Sequence, residues 1–323
     1  MVENKEMSQP RSGVSPLTFL KRHPLESALA IVLVIMVAEV VGGILSNSLA
    51  LLSDAGHMLV DALALGLSLF AMSIARRPAT LSKTYGYHRV EIIAAMANGT
   101  TLLLLAAWIF YEAYQRFLEP PVVRAPLMLV VATIGLVANL AGMVLLREGS
   151  HKSLNIKAAF WHIIGDAVSS VGVIAAGVII AFTGWRVIDP IVAVLIGVII
   201  VWGAVRLVKE SLTILLEAVP EHIHIDKVIE TIKSVTGVDD VHDIHIWTIT
   251  SGVHFLSAHL LVRDRAVSTC AEVVEAVNKQ LAEHFQITHT TLQFECENCP
   301  TGLVCDINQL RDRGGEAPMP HTH

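Results

Sequence analysis

One four-residue spacing, a histidine followed four positions later by an aspartate, occurs twice in otherwise apolar stretches of the chain. The two pairs are His57 with Asp61 and His162 with Asp166. Residues i and i+4 of an α-helix lie on one face, so each helix would offer an imidazole and a carboxylate in the same direction. If the two faces meet, they form a site of two nitrogens and two oxygens, which suits a tetrahedral divalent cation such as Zn2+.

A single pair of this kind is weak evidence, because it is more often a side-chain hydrogen bond or an interfacial pair than a metal site. Ionisable groups at membrane depth are costly, so two copies in the two least apolar of the long apolar segments favour a shared metal site. Such a site binds metal through neutral imidazole and ionised carboxylate, and metal therefore competes with protons. It could couple the movement of a divalent cation to a proton gradient.

The composition places these pairs in a membrane. The chain of 323 residues is 53% hydrophobic and 16% charged, whereas a soluble domain carries about 25% charged residues. Six apolar segments are long enough to cross about 30 Å of hydrocarbon at about 20 residues each. These segments cover residues 27–45, 49–74, 91–115, 125–146, 158–183 and 187–208.

Loop charges predict the orientation of the six segments. Basic residues concentrate in the N-terminal tail (1–26), in the loop after the second segment and in the loop after the fourth. Cytoplasmic loops carry such an excess of Lys and Arg, so both termini are expected in the cytoplasm. An even number of spans agrees with this. The formal net charge of −6 argues against a nucleic-acid partner.

The sequence changes character after the transmembrane region, which we place at 27–211. Residues 212–297 alternate between helical and strand periodicity in the order αββαβ, with a Ser251-Gly252 turn between the first two strands. That order predicts a small α+β domain with helices on one sheet face. Residues 298–323 are rich in Gly, Pro and charge, and we expect a flexible tail.

At this point the chain resembles a known family, the cation diffusion facilitators, which are zinc-exporting secondary transporters. The resemblance rests on SLALLSDAGHMLVDALAL, YGYHRVEIIAA, LLEAVP, VHDIHIWTITSG and the second His/Asp pair, and it extends from about residue 38 to 295. It implies a transport site between helices two and five, a Y-shaped homodimer in the lipid bilayer, a ferredoxin-like cytosolic domain and proton-coupled alternating access. The implied substrate is Zn2+, often with Cd2+ or Co2+, and the implied location is a bacterial inner membrane.

Three further polar residues lie in the predicted spans. Asp54, one turn before His57, could gate the entrance or collect ions, or it could be a helix N-terminal charge near the membrane interface. Glu39 and Asn139 are expected to form helix–helix hydrogen bonds, and Glu39 could also contact the ion path.

The predicted sheet offers a second metal site. Strand alternation directs His259 away from the helices, onto the face that Glu295 would share. Together with His242, these residues resemble the family's cytosolic metal cluster, in which Zn2+ would be structural. The alternative is a polar sheet face used for dimer packing.

Accessory ligands are less well defined. His88 resembles a histidine that relatives use at the membrane–cytosol boundary, although a lone loop histidine is usually just solvated. Cys296 and Cys299 offer two thiolates of the kind Zn2+ favours, and a similar pair binds zinc in some relatives. Two further ligands would be needed, from His242, the N-terminal tail or Cys305.

Two other classes of function fit less well. A zinc protease would need His-Glu-x-x-His, which is absent from the sequence. A di-iron enzyme usually needs Glu-x-x-His pairs and more carboxylates, and no such pair occurs in the predicted spans. A membrane metal sensor would need an output domain, for which the αββαβ segment is too short. We therefore expect a transporter and not an enzyme, with the ranking of metals and the proton stoichiometry left open.

Overall fold

The computed structural model describes residues 24–150, 154–263 and 267–296. Its described part begins with six helices and continues with two further helices and three strands. The helices are α1 Pro24–Ser46, α2 Leu49–Ala75, α3 Arg89–Leu118, α4 Ala125–Ser150, α5 Leu154–Thr183, α6 Ile188–Leu215, α7 Ile225–Lys233 and α8 Val267–Phe285. The strands are β1 Asp240–Thr250, β2 Val253–Leu261 and β3 Ile287–Glu295.

Five of the six apolar segments predicted from the sequence fall within one helix each, α1 to α5, and the sixth, 187–208, begins one residue before α6. Five of these helices contain stretches long and apolar enough to cross a membrane, and α1 has a shorter apolar part, Ala30–Ser46. The predicted class of a polytopic helical membrane protein followed by an α+β domain is thus confirmed, with five or six apolar helices.

One compact unit comprises residues 24–66 and 98–205 of the described chain. Its helices approach closely where glycines remove side-chain bulk, as membrane helices commonly do. A Cβ on Gly42 of α1 would lie 2.6 Å from Val131 of α4, and one on Gly197 of α6 would lie 2.7 Å from Phe110 of α3. Larger residues at either position would push the helices apart.

The second compact unit comprises residues 67–97 and 206–296. Its sheet has the order β1-β2-β3, with β1 antiparallel and β3 parallel to the central strand β2. Helices α7 and α8 pack on one face through buried residues such as Ile232 and Leu281, which meet Leu256, Ala258 and Leu260 of β2. The predicted αββαβ order is confirmed, and the opposite face of the sheet carries the polar side chains.

Strand β1 has an irregularity that the sequence did not predict. Its pairing with β2 shifts between His242, opposite His259, and His245, opposite Ser257. Within this bulge Asp243 adopts a positive φ of 47°, whereas Ile244 remains buried in the core. His242 and His245 are three positions apart, so regular alternation would put them on opposite faces of the sheet. The one residue that the bulge adds brings both histidines to the open face.

Candidate metal sites

Helices α2 and α5 bring the two predicted His/Asp pairs together. The Nε2 of His57 lies 3.5 Å from Oδ2 of Asp61, and the same oxygen lies 3.6 Å from Nε2 of His162. His162 Nε2 is in turn 3.7 Å from Oδ2 of Asp166. The four side chains therefore form a continuous series of contacts in which Asp61 lies between the two imidazoles.

The contacts in this group suit a cation better than they suit hydrogen bonds. Ligand atoms around a tetrahedral Zn2+, at about 2.0–2.2 Å from the ion, are about 3.3–3.6 Å apart, which is close to the three separations. Asp166 Oδ2, which belongs to this series of contacts, is buried and has no hydrogen-bond partner in the described chain. The imidazole centroids of His57 and His162 are 6.1 Å apart, so the rings would move inward to enclose one ion.

Asp54 is completely buried in α2, one turn before His57, and is only 1% exposed. The hydroxyl of Ser169, on α5, donates a hydrogen bond to its Oδ1. Asp54 does not lie in the first turn of α2, so it is not the interfacial helix N-terminal charge of the alternative interpretation. It links the two helices that carry the His/Asp pairs, and its role as a gate stays a prediction.

The hydrogen bonds expected of Glu39 and Asn139 are not formed within the described chain. Both side chains are buried, yet neither oxygen of Glu39 nor either side-chain atom of Asn139 has a partner. Glu39 Oε1 points at Gly135 of α4, where a Cβ would lie 2.5 Å away. The glycine thus leaves the space that the carboxyl group of Glu39 occupies.

The sequence did not predict a buried polar network at the start of α2. Asp189 of α6 is 0% exposed and accepts hydrogen bonds from the Ser48 hydroxyl at 2.5 Å, the Leu49 amide at 2.7 Å and the Ala50 amide at 3.3 Å. The first amides of a helix lack intrahelical acceptors, so a residue of α6 provides the cap for α2. An aspartate at the start of an apolar segment was the only sequence signal of this role.

A buried arginine completes that network. Arg116 of α3 donates from Nη1 to the carbonyl of Asn47 at 2.8 Å, and the same nitrogen lies 3.7 Å from Oδ2 of Asp189. Its Nε is 3.0 Å from Oε1 of Glu112. The charge of Asp189 is therefore opposed by a cation, and the turn between α1 and α2 is held by α3 and α6.

The three residues of the predicted second cluster also meet, one from each strand. The potential ligand atoms of His242, His259 and Glu295 all lie within 4.8 Å of one another. Glu295 Oε2 is 3.0 Å from His242 Nε2, and its Oε1 is 3.0 Å from His259 Nδ1. The second contact is not a hydrogen bond, and the buried Nδ1 has no hydrogen-bond partner in the described chain.

Two residues beside this cluster were missed. Asp243 Oδ2 is 3.5 Å from Nε2 of His259, and its Oδ1 is 3.1 Å from Nε2 of His245. The segment VHDIHIW contains both residues, but strand alternation would send Asp243 to the helix-covered face. Only the bulge brings its carboxylate to the open face.

The accessory candidates are not brought together with other ligands. His88 and Cys296 are both exposed, and within the described ranges neither belongs to a group of three potential metal ligands. Cys299 and Cys305 lie outside the described residues. A metal site at the cysteine pair stays a prediction.

Two consecutive parts of the chain match models of known families. Residues 27–216, more than half of the chain, match the family described as the cation efflux transmembrane domain. Residues 220–297 match the cytoplasmic domain of cation efflux proteins.

Curated proteins show the same similarity over most of their length. The chain is 45% identical over 275 residues to the metal cation efflux system protein CzcD of Cupriavidus metallidurans, covering 85% of this chain and 87% of that protein. It is 40% identical over 283 residues to a cadmium, cobalt and zinc/H(+)-K(+) antiporter of Bacillus subtilis, covering 86% and 91%. It is 37% identical over 276 residues to the zinc transporter ZitB of Escherichia coli, covering 85% and 87%.

One solved structure, the metal-bound C-terminal domain of the CzcD transporter, is 40% identical to this chain. It covers 23% of this chain and 99% of its own, with a TM-score of 0.21.

Proposed function

The chain belongs to the cation efflux, or cation diffusion facilitator, family of metal transporters, which are not enzymes, and we propose that it exports Zn2+ from the cytoplasm in exchange for protons. Cd2+ and Co2+ are proposed as further substrates, since one relative at 40% identity is named for all three metals. The observation that carries the proposal is the meeting of two imidazoles and two carboxylates between α2 and α5.

In the proposed transport site, His57, Asp61, His162 and Asp166 replace the water shell of the ion. Two nitrogens and two oxygens suit Zn2+, which has no geometric preference from its d electrons and accepts tetrahedral sites readily. Two carboxylates balance the charge of a divalent cation, whereas they would hold a monovalent cation less strongly. Mg2+ prefers six oxygen ligands and is therefore excluded by this ligand set.

Proton exchange follows from the same ligands. A metal ion binds the unprotonated form of each imidazole and carboxylate, so loading the site releases protons and protonation of the site releases metal. Imidazoles titrate near pH 6.5, within the range that a proton gradient covers. Alternating access would expose the site to the two sides of the membrane in turn, and Asp54, joined to α5 through Ser169, is the proposed gate.

The remaining features of the proposal concern assembly and location. We place both termini in the cytoplasm, on a bacterial inner membrane, because the basic loops lie on that side. The domain at 212–297 would pair two copies into a homodimer, since the matching family model is named for dimerisation. Zn2+ bound by His242, His259 and Glu295 would stabilise this domain, because a ligand stabilises the fold that binds it.

Transport by purified protein in liposomes under a pH gradient tests the central proposal. Asp166→Ala removes one ligand and leaves an incomplete shell, so Zn2+ flux should fall to the background of empty liposomes. Competition among Zn2+, Cd2+, Co2+ and Mg2+ gives the selectivity, and dissipating the gradient gives the coupling. Glu119→Ala removes an exposed carboxylate and should leave flux unchanged.

Three results would contradict specific parts of the proposal. Near-normal flux in Asp166→Ala, with correct folding and insertion, would remove this residue from the transport site. Equal Zn2+ flux with and without the pH gradient would exclude proton exchange. Inhibition by Mg2+ as strong as by Cd2+ would contradict a site of two nitrogens and two oxygens.

A further inference from the structure

The backbone of Asp243 is strained at the edge of the cluster formed by His242, His259 and Glu295. A positive φ is uncommon for any residue other than glycine, and Asp and Asn are the side chains that tolerate it best. Asp243 adopts φ 47° inside the bulge that separates His242 from His245. Strain of this kind persists where the surrounding structure requires it and often marks a functional position.

The consequence of this backbone is that His259 has a different carboxylate at each ring nitrogen. Its Nδ1 lies 3.0 Å from Oε1 of Glu295, and its Nε2 lies 3.5 Å from Oδ2 of Asp243. The other oxygen of Asp243 is 3.1 Å from His245 Nε2 and forms a hydrogen bond with it. Asp243 is 18% exposed at its side chain, so this arrangement is partly screened from water.

We infer that Asp243 is a positioning residue that fixes the proton of His259 on Nε2 and thereby directs the free lone pair of Nδ1 to a metal ion. The inference rests on the proposed function, in which His242, His259 and Glu295 bind Zn2+. Neutral imidazole carries one proton, and the partner of one nitrogen decides which nitrogen remains free. A carboxylate behind a ligating histidine fixes the tautomer and makes the ligating nitrogen more basic.

The alternative tautomer shows why a fixing group is needed. With its proton on Nδ1, His259 would face Glu295 as a donor, and the nitrogen nearest to the cluster could not bind metal. Within the described chain the buried Nδ1 makes no hydrogen bond, and Asp243, at 3.5 Å from Nε2, would approach that nitrogen slightly to accept its proton. Asp243 is not in the group whose ligand atoms all lie within 4.8 Å, which fits a position next to His259 outside the three proposed ligands.

Zn2+ binding to the full-length chain, measured by chelator competition, tests the inference. Asp61→Ala and Asp166→Ala are combined in all samples to remove the transport site. Asp243→Asn keeps the shape and tolerates a positive φ but removes the charge, and Asp243→Gly relieves the strain and removes the whole carboxylate. Both should lower affinity by about 10–100-fold, the usual effect of removing a partner behind a metal ligand.

Two spectroscopic signatures distinguish positioning from a structural role. The visible spectrum of bound Co2+ should be unchanged in both Asp243 variants, because the three ligands remain. Long-range nitrogen-15 spectra of the metal-free protein should show His259 protonated on Nε2 in the parent and as a mixture of tautomers in Asp243→Gly. The inference is supported if Asp243→Gly, whose backbone is no longer strained, binds Zn2+ more weakly than the parent and shows His259 as a mixture of tautomers.

Separate outcomes would overturn the inference and the cluster itself. Parent affinity in Asp243→Gly would show that the carboxylate is dispensable, and a changed Co2+ spectrum would make Asp243 a ligand. His259→Ala serves as the test of the cluster, because it removes a ligand outright. If His259→Ala binds Zn2+ as the parent does, the proposed cytosolic site is wrong whatever the Asp243 variants show.

Discussion

The cap that Asp189 provides for α2 allows a prediction with a definite size. Substituting Asp189 by Ala removes the acceptor for the Leu49 and Ala50 amides and for the Ser48 hydroxyl. Ser48 can rotate its hydroxyl toward another acceptor, but the two amides are fixed by the helix. They would remain buried without partners, since Leu49 and Ala50 are both 0% exposed.

The free energy follows from the number of donors left without acceptors. A buried donor without an acceptor costs about 1–3 kcal/mol, so two amides cost about 2–6 kcal/mol. Among the described residues, the loss of the carboxylate also leaves Arg116 with Glu112 as its one nearby counter-charge. Asp189→Asn keeps one carbonyl oxygen and can still accept from one amide, so its cost should be about half as large.

Hydrogen exchange of the full-length protein measures this effect where it arises. The amides at the start of α2 exchange through local opening, and a tenfold change in that equilibrium corresponds to about 1.4 kcal/mol. Asp189→Ala should therefore speed exchange of the first turn of α2 by about 30-fold or more. Glu112→Ala alters a partly exposed ion pair of the same network and should change exchange less than about fivefold.

The outcome that would refute this reasoning is specific. If Asp189→Ala exchanges at the start of α2 as slowly as the wild type, then its carboxylate is not the acceptor that holds this helix. If Glu112→Ala has as large an effect as Asp189→Ala, the arginine and not the cap stabilises the turn.

Two further predictions concern the two units separately. His57→Asp gives a transport site with one nitrogen and three carboxylates, which should accept Cd2+ or Mn2+ better relative to Zn2+; competitive uptake measures the ranking, and an unchanged ranking would mean that His57 does not touch the ion. Burial, and then the nearby His222, lower the pKa of His254 below its ordinary value of about 6.5. The unfolded chain therefore binds this proton first, and strands β1 and β2 should lose stability as the pH falls below about 6.5. His254→Gln should flatten this dependence in hydrogen exchange corrected for intrinsic rates, and equal slopes in variant and wild type would contradict it.

The apolar segments were predictable because the thickness of a bilayer fixes how many apolar residues a helix needs. The helix ends were less predictable, since backbone hydrogen bonding continues past the last apolar residue. Helix α6 was predicted to end near residue 208 and extends to Leu215. The last turns of α6 include the charged residues Lys209 and Glu210. These residues continue the backbone hydrogen bonds of the helix, but they are not apolar and so were not counted in the predicted span.

The sequence determined which residues could bind metal. The spacing of His57 and Asp61 puts them on one face of a helix, and strand alternation decides which face of the sheet His259 occupies. Tertiary structure decided which of these faces meet: Asp61 contacts His162 across two helices, and three strands bring His242, His259 and Glu295 together. Two of the positions that sequence reasoning missed show how far the missing information depends on non-local structure. Asp189 caps a helix that begins 140 residues earlier in the chain, and a bulge reverses the face that alternation predicts for Asp243. Local periodicity carries no information about either, because one requires the packing of distant helices and the other a backbone angle that only strand pairing selects.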